Sequence, residues 1–239
     1  MSGYDSEKEA VADLVAANRI LFDQGIVDAF GHASMRSPQN PERFLLARNM
    51  ASGLVTSDDI LEFDLDGEPV NAAGRGVYLE RFIHSEIYRA RADVMAVVHS
   101  HSPTVVPFSV TKSVRLRPIC HMCGFLGAGA PIFEIRECAG DATDLLIRNR
   151  ALGAALAKDL GAGSVVLMRG HGSTVVGETL QHAVYRAIYT EQNAKLQAEA
   201  MRLGEVTYLT EQEAATAQKN VETQIRRPWE LWKSRVTIA

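Results

Sequence analysis

Three of the seven histidines in this 239-residue chain stand where imidazoles can share an ion. His99 and His101 flank Ser100 directly after the apolar, β-branched run 94–98. In extended backbone, residues two apart point to the same face, so both rings can converge. For an isolated pair of this kind the other reading is that one ring finishes the strand and the other faces solvent. His171 lies in Arg169-Gly170-His171-Gly172, a glycine-flanked turn after the apolar run 164–168. Glycine lets backbones approach closely and leaves the imidazole unobstructed. Two strand ends that each present histidine make a three-nitrogen site with an open position, the arrangement a catalytic metal needs. Imidazole suits zinc, manganese, iron or cobalt, and one such divalent ion per chain is expected. Glu80 opens the helix before the first of these strands; a carboxylate there either offsets the helix dipole or works as an acid/base.

Periodicity supplies the elements that must position these groups. Ser6 with Glu9 has capping-box spacing for a first helix whose apolar positions run from Val11 to Leu21 and which Gly25 stops. Short strands are expected at 29–35, 44–47 and 60–65, the last before an Asp66-Gly67 turn. A helix over 78–91 precedes the strand 94–99, and Ser102-Pro103 has the pattern of an N-cap followed by proline at the first helical position. Further on, the pattern predicts helices at 145–160 and 178–203, with a hairpin between them that pairs 164–168 with 173–176. A polar helix and a tail with Trp229 and Trp232 complete the chain. Strands and helices mix without strict alternation. That predicts one α/β domain over 1–239, with a mixed, largely antiparallel sheet covered by helices and a helical tail from about 205.

The bulk numbers bound the function. Net charge is −4 and the pI about 6.0, without the basic stripe that a nucleic-acid partner requires. No apolar run approaches the roughly 18–20 residues that span a bilayer. The polar, charged N-terminus has the pattern of neither a signal nor a transit peptide. Three cysteines, 120, 123 and 138, argue against a disulfide framework, so a cytoplasmic protein is expected. Cys120 and Cys123 form a lone CxxC, weak ground for zinc or redox chemistry.

Glu80-Arg81-Phe82-Ile83-His84, then Arg91-Ala92-Asp93-Val94, Val97-Val98-His99-Ser100-His101 and Arg169-Gly170-His171-Gly172 together resemble the class II aldolase/adducin family, from about Ala10 to about Gly204. The resemblance implies a single three-layer α/β/α domain and a homo-oligomer, commonly a tetramer with active sites between subunits. It also implies that His99, His101 and His171 ligate a divalent metal while Glu80 is the acid/base. Sugar-phosphate aldolases of the family hold phosphate with a Gly-Asn pair, a Thr/Ser-Gly pair and two serines before the glutamate. Here the first reads Gly31-His32-Ala33-Ser34, Ser52-Gly53 survives in outline, and Tyr78-Leu79 replace the serines. A phosphate without these donors is poorly held. Gly31-His32, the run 74–81, His121 with Gly124-Phe125-Leu126, and Trp229-Glu230-Leu231-Trp232 resemble the branch that decarboxylates dihydroxyphthalates, hydroxypyridine dicarboxylates or hydroxymuconate-like acids.

Decarboxylation and aldol cleavage both leave an electron pair that a metal can store as an enolate. The expected function is therefore a carbon–carbon lyase, a metal-dependent decarboxylase of a hydroxy-dicarboxylic acid. The alternatives are an aldolase or epimerase for a non-phosphorylated substrate, and a non-enzymatic adducin-like binding module. Expected substrate contacts are His32, Ser34, Ser52, Gly53, Arg75, Arg81 and His121, with an arginine fork on one carboxylate.

Overall fold

The computed structural model describes residues 4, 6–70 and 72–236. Helix α1 (Glu7–Asp23) starts where the Ser6 hydroxyl accepts from the Glu9 N–H at 3.2 Å, and it is followed by Gly25 at φ +68°. Strands β1 (His32–Arg36), β2 (Arg43–Ala47) and β3 (Ile60–Asp64) make an antiparallel meander. Helix α2 (Arg81–Ala90) leads into β4 (Ala96–Ser100), which is followed by α3 (Val105–Val110). After β5 (Ile132–Phe133) and α4 (Arg136–Ala139), α5 (Arg150–Leu160) leads into the hairpin β6 (Val165–Met168) and β7 (Gly172–Gly177). Helices α6 (Leu180–Leu203), α7 (Glu211–Glu222) and α8 (Arg226–Val236) complete the chain.

The seven strands lie in the order β3-β2-β1-β4-β7-β6-β5, antiparallel except for β5 beside β6. Side-chain alternation divides the core in two. Ala33, Met35, Ala96, Val98, Val165, Leu167 and Val175 face α1, α6 and α8. Val97, Val166, Met168 and Val176 face the other way, toward Phe82, Ile83 and Ile87 of α2 and Leu156 and Leu160 of α5. Period-two strands thus bury both sheet faces under helices, giving three layers.

Four boundaries differ from the sequence reading, each for a local reason. Helix α2 begins at Arg81, three residues later than the pattern suggests, because the Tyr78 hydroxyl is tied to the Met50 carbonyl and the Glu80 carboxylate is turned inward. Ser102 caps no helix with its hydroxyl; its carbonyl instead accepts from the Val105 and Val106 N–H groups, both at 3.1 Å. Residues 145–149 are not helical: Leu145 takes φ +71°, and α5 starts after Asn149, whose side chain accepts from the Leu152 N–H at 3.1 Å. The two-residue β5, parallel to β6, has no pattern of its own in the sequence.

Helix α8 is not peripheral. Trp229 and Trp232 are buried in the core shared with α1, and Lys233 Nζ reaches Asp13 Oδ1 at 2.5 Å. Truncating a buried tryptophan typically costs about 3–5 kcal/mol. Trp232→Ala is therefore expected to lower the urea midpoint strongly; a loss under about 1 kcal/mol would show that α8 contributes little to this core.

Candidate metal centre and active site

Strands β1, β4 and β7 lie side by side, and their register brings the chemistry together. His32 of β1 is the cross-strand partner of His99 of β4, and Ser100 pairs with Ser173 of β7. Gly172 lies against the backbone of β4, where a side chain would collide with the Ser100 carbonyl. That absence of a Cβ lets the hairpin turn place His171 beside the end of β4. Gly31, at φ +91°, likewise approaches the His99 carbonyl just before His32.

The three imidazoles converge through Nε2. His99 Nε2 lies 3.1 Å from His101 Nε2, which lies 3.0 Å from His171 Nε2. Glu80 Oε2 stands 3.6 Å from His99 Nε2 and 3.5 Å from His171 Nε2. All four side chains offer one ligand atom within 4.8 Å of the others. The opposite ring nitrogens fix the tautomers. His99 Nδ1 is 3.1 Å from the Ser173 carbonyl and His171 Nδ1 is 3.0 Å from the Leu145 carbonyl. A carbonyl only accepts, so each Nδ1 carries the proton and each Nε2 presents a lone pair inward. His101 can supply at most one proton to its two neighbours in its neutral form, so at least one of these close contacts sets lone pair against lone pair. A cation removes that conflict. Two nitrogens each about 2.1 Å from one ion stand about 3.0 Å apart at a right angle and about 3.4 Å apart at the tetrahedral angle. The observed spacing fits the first case, and the donor set suits a divalent transition metal.

Glu80 sits at the N-cap position of α2 without capping it. Its Oε1 accepts from the Ile147 N–H at 2.9 Å, leaving Oε2 to face the histidines. Burial pushes this carboxyl's pKa up, while positive charge at the His171 and His99 positions and the Ile147 hydrogen bond push it down, the net direction being below the usual carboxylate range; with both rings neutral, that positive charge has to come from a cation held between them. Burial lowers His99 far below an ordinary histidine, and His101 is lowered for the same first cause. Neutral imidazoles are the ligating form.

A cavity of about 350 Å³ opens beside this cluster. Its wall includes Glu80, His101 and His32 together with Phe30, Asn49, Met50, Tyr78, Leu79 and Leu146. No lysine or arginine lines it among the described residues. His32 is the expected substrate contact that the structure places in this wall. The others lie elsewhere. Ser34 is fully buried behind His32, and its hydroxyl is 2.6 Å from His84 Nδ1. Ser52 donates to the Gly31 carbonyl at 2.8 Å, supporting the loop rather than a ligand, and Gly53 packs against the Phe22 ring. Arg75 donates to the Ala72 and Asp58 carbonyls. Arg81 donates to the Gly67 carbonyl at 2.5 Å, pairs with Glu68 and lies over the Phe82 ring. These arginines are thus occupied by local backbone and do not reach the cavity of their own chain. His121 lines a different, open groove with Leu209, Gln212 and Glu213 of the α7 region.

Sequence reasoning missed the 145–147 segment. It supplies the Leu145 carbonyl to His171, the Ile147 N–H to Glu80 and the Leu146 side chain to the cavity wall. Asn149, a good N-cap residue, is the one sequence signal that the helix starts after this segment rather than through it.

Comparison with known proteins agrees with this picture. The profile of the class II aldolase and adducin N-terminal domain matches residues 12–198. The chain is 41% identical to the decarboxylase TropJ of Talaromyces stipitatus, over 93% of this chain and 92% of that one. It is 31% identical to a 3,4-dihydroxyphthalate decarboxylase of Arthrobacter keyseri, over 82% and 79%. An L-fuculose 1-phosphate aldolase from Glaciozyma antarctica superimposes with a TM-score of 0.77 at 25% identity, covering 99% of this chain and 93% of that one.

The buried histidines make stability depend on pH. Burial, with a smaller contribution from His99, pulls His84 from 6.5 to about 3, and burial also lowers His32 well below 6.5. Between about 3 and 6.5 the unfolded chain binds the protons that folded His84 refuses, so stability is full above 6.5 and falls as pH drops. The slope is about 1.4 kcal/mol per pH unit for each such group. Urea midpoints of the metal-free protein are expected to fall between pH 7.5 and pH 5; a flat profile would contradict the burial of neutral histidines.

Proposed function

The chain belongs to the class II aldolase and adducin family, and we propose that within it this protein is a metal-dependent decarboxylase of a hydroxylated aromatic acid. It is a carbon–carbon lyase, and its similarity to decarboxylases over nearly its whole length favours a carboxy-lyase. The single observation that carries the reading is the convergence of three Nε2 atoms and one carboxylate beside a cavity that no lysine or arginine lines among the described residues. His99, His101 and His171 hold one divalent ion, with Glu80 beside it. When bound, that ion supplies the positive charge that stabilises negative charge developing on a substrate oxygen.

The chain's own groups handle the proton. Glu80, ionised and facing the cluster, accepts the proton of the substrate hydroxyl. The proton on Glu80 then passes to the ring carbon that bears the carboxylate, giving the non-aromatic ketone tautomer. Carbon dioxide departs, and the electron pair of the broken bond restores the aromatic ring and leaves the negative charge on its oxygen, so that one hydrogen replaces one carboxylate. His32, whose Nδ1 is taken by His84, turns its other nitrogen to the cavity and contacts the hydroxyl oxygen. Leu79, Met50, Phe30 and Leu146 give the ring an apolar wall and exclude water.

The cavity modifies the substrate expected from sequence. A second carboxylate held by Arg75 or Arg81 is not supported within one chain, since both arginines are engaged elsewhere. A sugar phosphate is disfavoured more strongly. Tyr78 and Leu79 stand where phosphate-binding hydroxyls would be needed, and the Tyr78 hydroxyl is already bonded to Met50. A ring bearing adjacent hydroxyl and carboxylate groups satisfies the site. In this family a homo-oligomer is the expected form, with a small hydroxy acid as its partner molecule. No helix among the described residues is long and apolar enough to cross a membrane.

Elemental analysis is expected to find about one divalent transition-metal ion per chain, lost in His99→Ala, His101→Ala and His171→Ala; unchanged content in all three would sink the metal centre. Glu80→Gln is expected to keep the fold and most of the metal while losing about 10²–10⁴-fold in turnover. The substrate is tested with a panel of hydroxybenzoates, dihydroxyphthalates and sugar phosphates. Stoichiometric carbon dioxide from an aromatic acid, abolished by chelator and restored by metal, supports the decarboxylase. Cleavage of an aldol, with no carbon dioxide from any acid, makes the protein an aldolase instead.

A further inference from the structure

Behind His32 runs a line of four buried polar side chains that the reaction above does not use in full. His32 Nδ1 is 2.7 Å from His84 Nε2. His84 Nδ1 is 2.6 Å from Ser34 Oγ, and Ser34 Oγ is 2.8 Å from the Tyr88 hydroxyl. Ser34 and His84 are fully buried, Tyr88 is 2% exposed and His32 4%. The line crosses from β1 to α2 inside the layer between the sheet and α2, where Phe44 and Phe63 enclose it.

Such a chain has two states. Both rings are buried and neither is hydrogen-bonded to a carboxylate among the described residues, so the neutral form with one proton is favoured for each. Three hydrogen bonds must be filled, each with one hydrogen. If His84 carries its proton on Nε2, it donates to His32 Nδ1, Ser34 donates to His84 Nδ1, and Tyr88 donates to Ser34. His32 then holds its own proton on Nε2. If His84 carries its proton on Nδ1, it donates to Ser34 and His32 donates from Nδ1; only one of the Ser34 and Tyr88 protons can then fill the bond between them, and the other must find another acceptor.

The far end decides between them. Among the described residues the Tyr88 hydroxyl has Ser34 Oγ as its hydrogen-bond partner and Ser34 Oγ has only His84 Nδ1 and the Tyr88 hydroxyl, so neither hydroxyl has a further acceptor for a second proton. The reversed state strands a buried hydroxyl proton, whereas the first state satisfies every member. At the near end, no protein atom among the described residues takes His32 Nε2, and His32 forms part of the cavity wall beside Glu80 and His101.

We propose that Tyr88, Ser34 and His84 are positioning residues that lock His32 as the Nε2–H tautomer, a neutral donor aimed at an anionic oxygen of the bound substrate. The proposal rests on the decarboxylase reading for the identity of that oxygen, but not for the tautomer. A neutral donor fixed by packing costs no reorganisation when charge develops, and it cannot neutralise Glu80 by giving up a proton at rest. Ser34, expected from sequence as a substrate contact, thereby acts on the substrate through two other side chains.

Two measurements test this. Nitrogen-15 spectra of histidine-labelled protein, with the His32 signals assigned by their loss in His32→Gln, are expected to show the proton on Nε2 at pH 7.5. In Ser34→Ala the signals shift toward a mixture of tautomers. A proton on His32 Nδ1 in the wild type overturns the proposal, whatever the enzyme turns over. With the aromatic acid that proves to be the substrate, Ser34→Ala is expected to lower kcat about tenfold with KM and metal content nearly unchanged. In a His32→Gln background the same change is expected to have no further effect, because the cycle removes the residue through which Ser34 acts. Equal losses of kcat in both backgrounds would reduce Ser34 to a packing role. Should Ser34→Ala fail to fold, Tyr88→Phe, which keeps the ring volume, takes its place in both measurements. Failure of all aromatic acids as substrates, with His32 on Nε2, defeats the decarboxylase reading and leaves the relay standing.

Discussion

Two unprotonated imidazole nitrogens, each held about 3 Å from the same third one, are an electrostatic liability unless positive charge stands between them. In this protein the liability is enforced from outside the cluster. The Ser173 and Leu145 carbonyls hold the protons of His99 and His171 on the outer nitrogens, so neither ring can relieve the crowding by switching tautomer. Much of the architecture serves that arrangement. The sheet aligns the ends of β1, β4 and β7, the β6–β7 turn delivers His171, and the close approach at Gly172 sets the distance between the two histidine-bearing segments. The carboxylate completes the group: Glu80 is spared from capping its own helix and receives a backbone N–H from a neighbouring loop. A site so constructed is rigid before anything binds, which is what differential stabilisation of a developing charge requires.

The histidine cluster was legible in the sequence because its logic is local. Period-two geometry puts His99 and His101 on one face, and glycine on both sides of His171 marks a turn in which only backbone can approach. The fold class followed from the same periodicity. The two-faced sheet explains why: alternate residues of β4 and β6 enter different cores, so both appear as unbroken apolar runs, while β1 carries His32 and Ser34 on one face and Ala33 and Met35 on the other. Elements stabilised by partners distant in sequence were not legible. Residues 145–149 look helical because Leu145, Leu146 and Ile147 continue the apolar pattern of α5, yet their backbone groups are bonded to the site and so are unavailable to a helix. Sequence showed α8 as a tail because its burial depends on α1, more than two hundred residues earlier.

The substrate contacts show where residue type alone misleads. Arginine is the natural partner of a carboxylate, but it is also well suited to tying loops together through carbonyl oxygens. Arg75 and Arg81 do the second, and nothing in their immediate sequence separates the two roles. His121 lies in a groove of its own and shares no wall with the cluster. What remains around the cavity within one chain is mostly apolar, the polar exceptions being the cluster itself, His32, Asn49 and Tyr78.

His32 stands where these constraints meet. It is paired across the sheet with His99, so β1 cannot slip by a residue without turning His32, Ser34 and the cavity wall to the opposite face together. Its ring lies 4.4 Å from Tyr78 and 5.2 Å from His99, and one nitrogen is committed to His84. Three different elements therefore fix a single imidazole: the strand sets its place, the Tyr78 segment its orientation and α2 its tautomer. A histidine in a Gly-His loop would ordinarily be free to titrate and rotate. Burial among polar partners of fixed direction removes both freedoms and leaves one capacity, the donation of a hydrogen bond from Nε2 into the cavity.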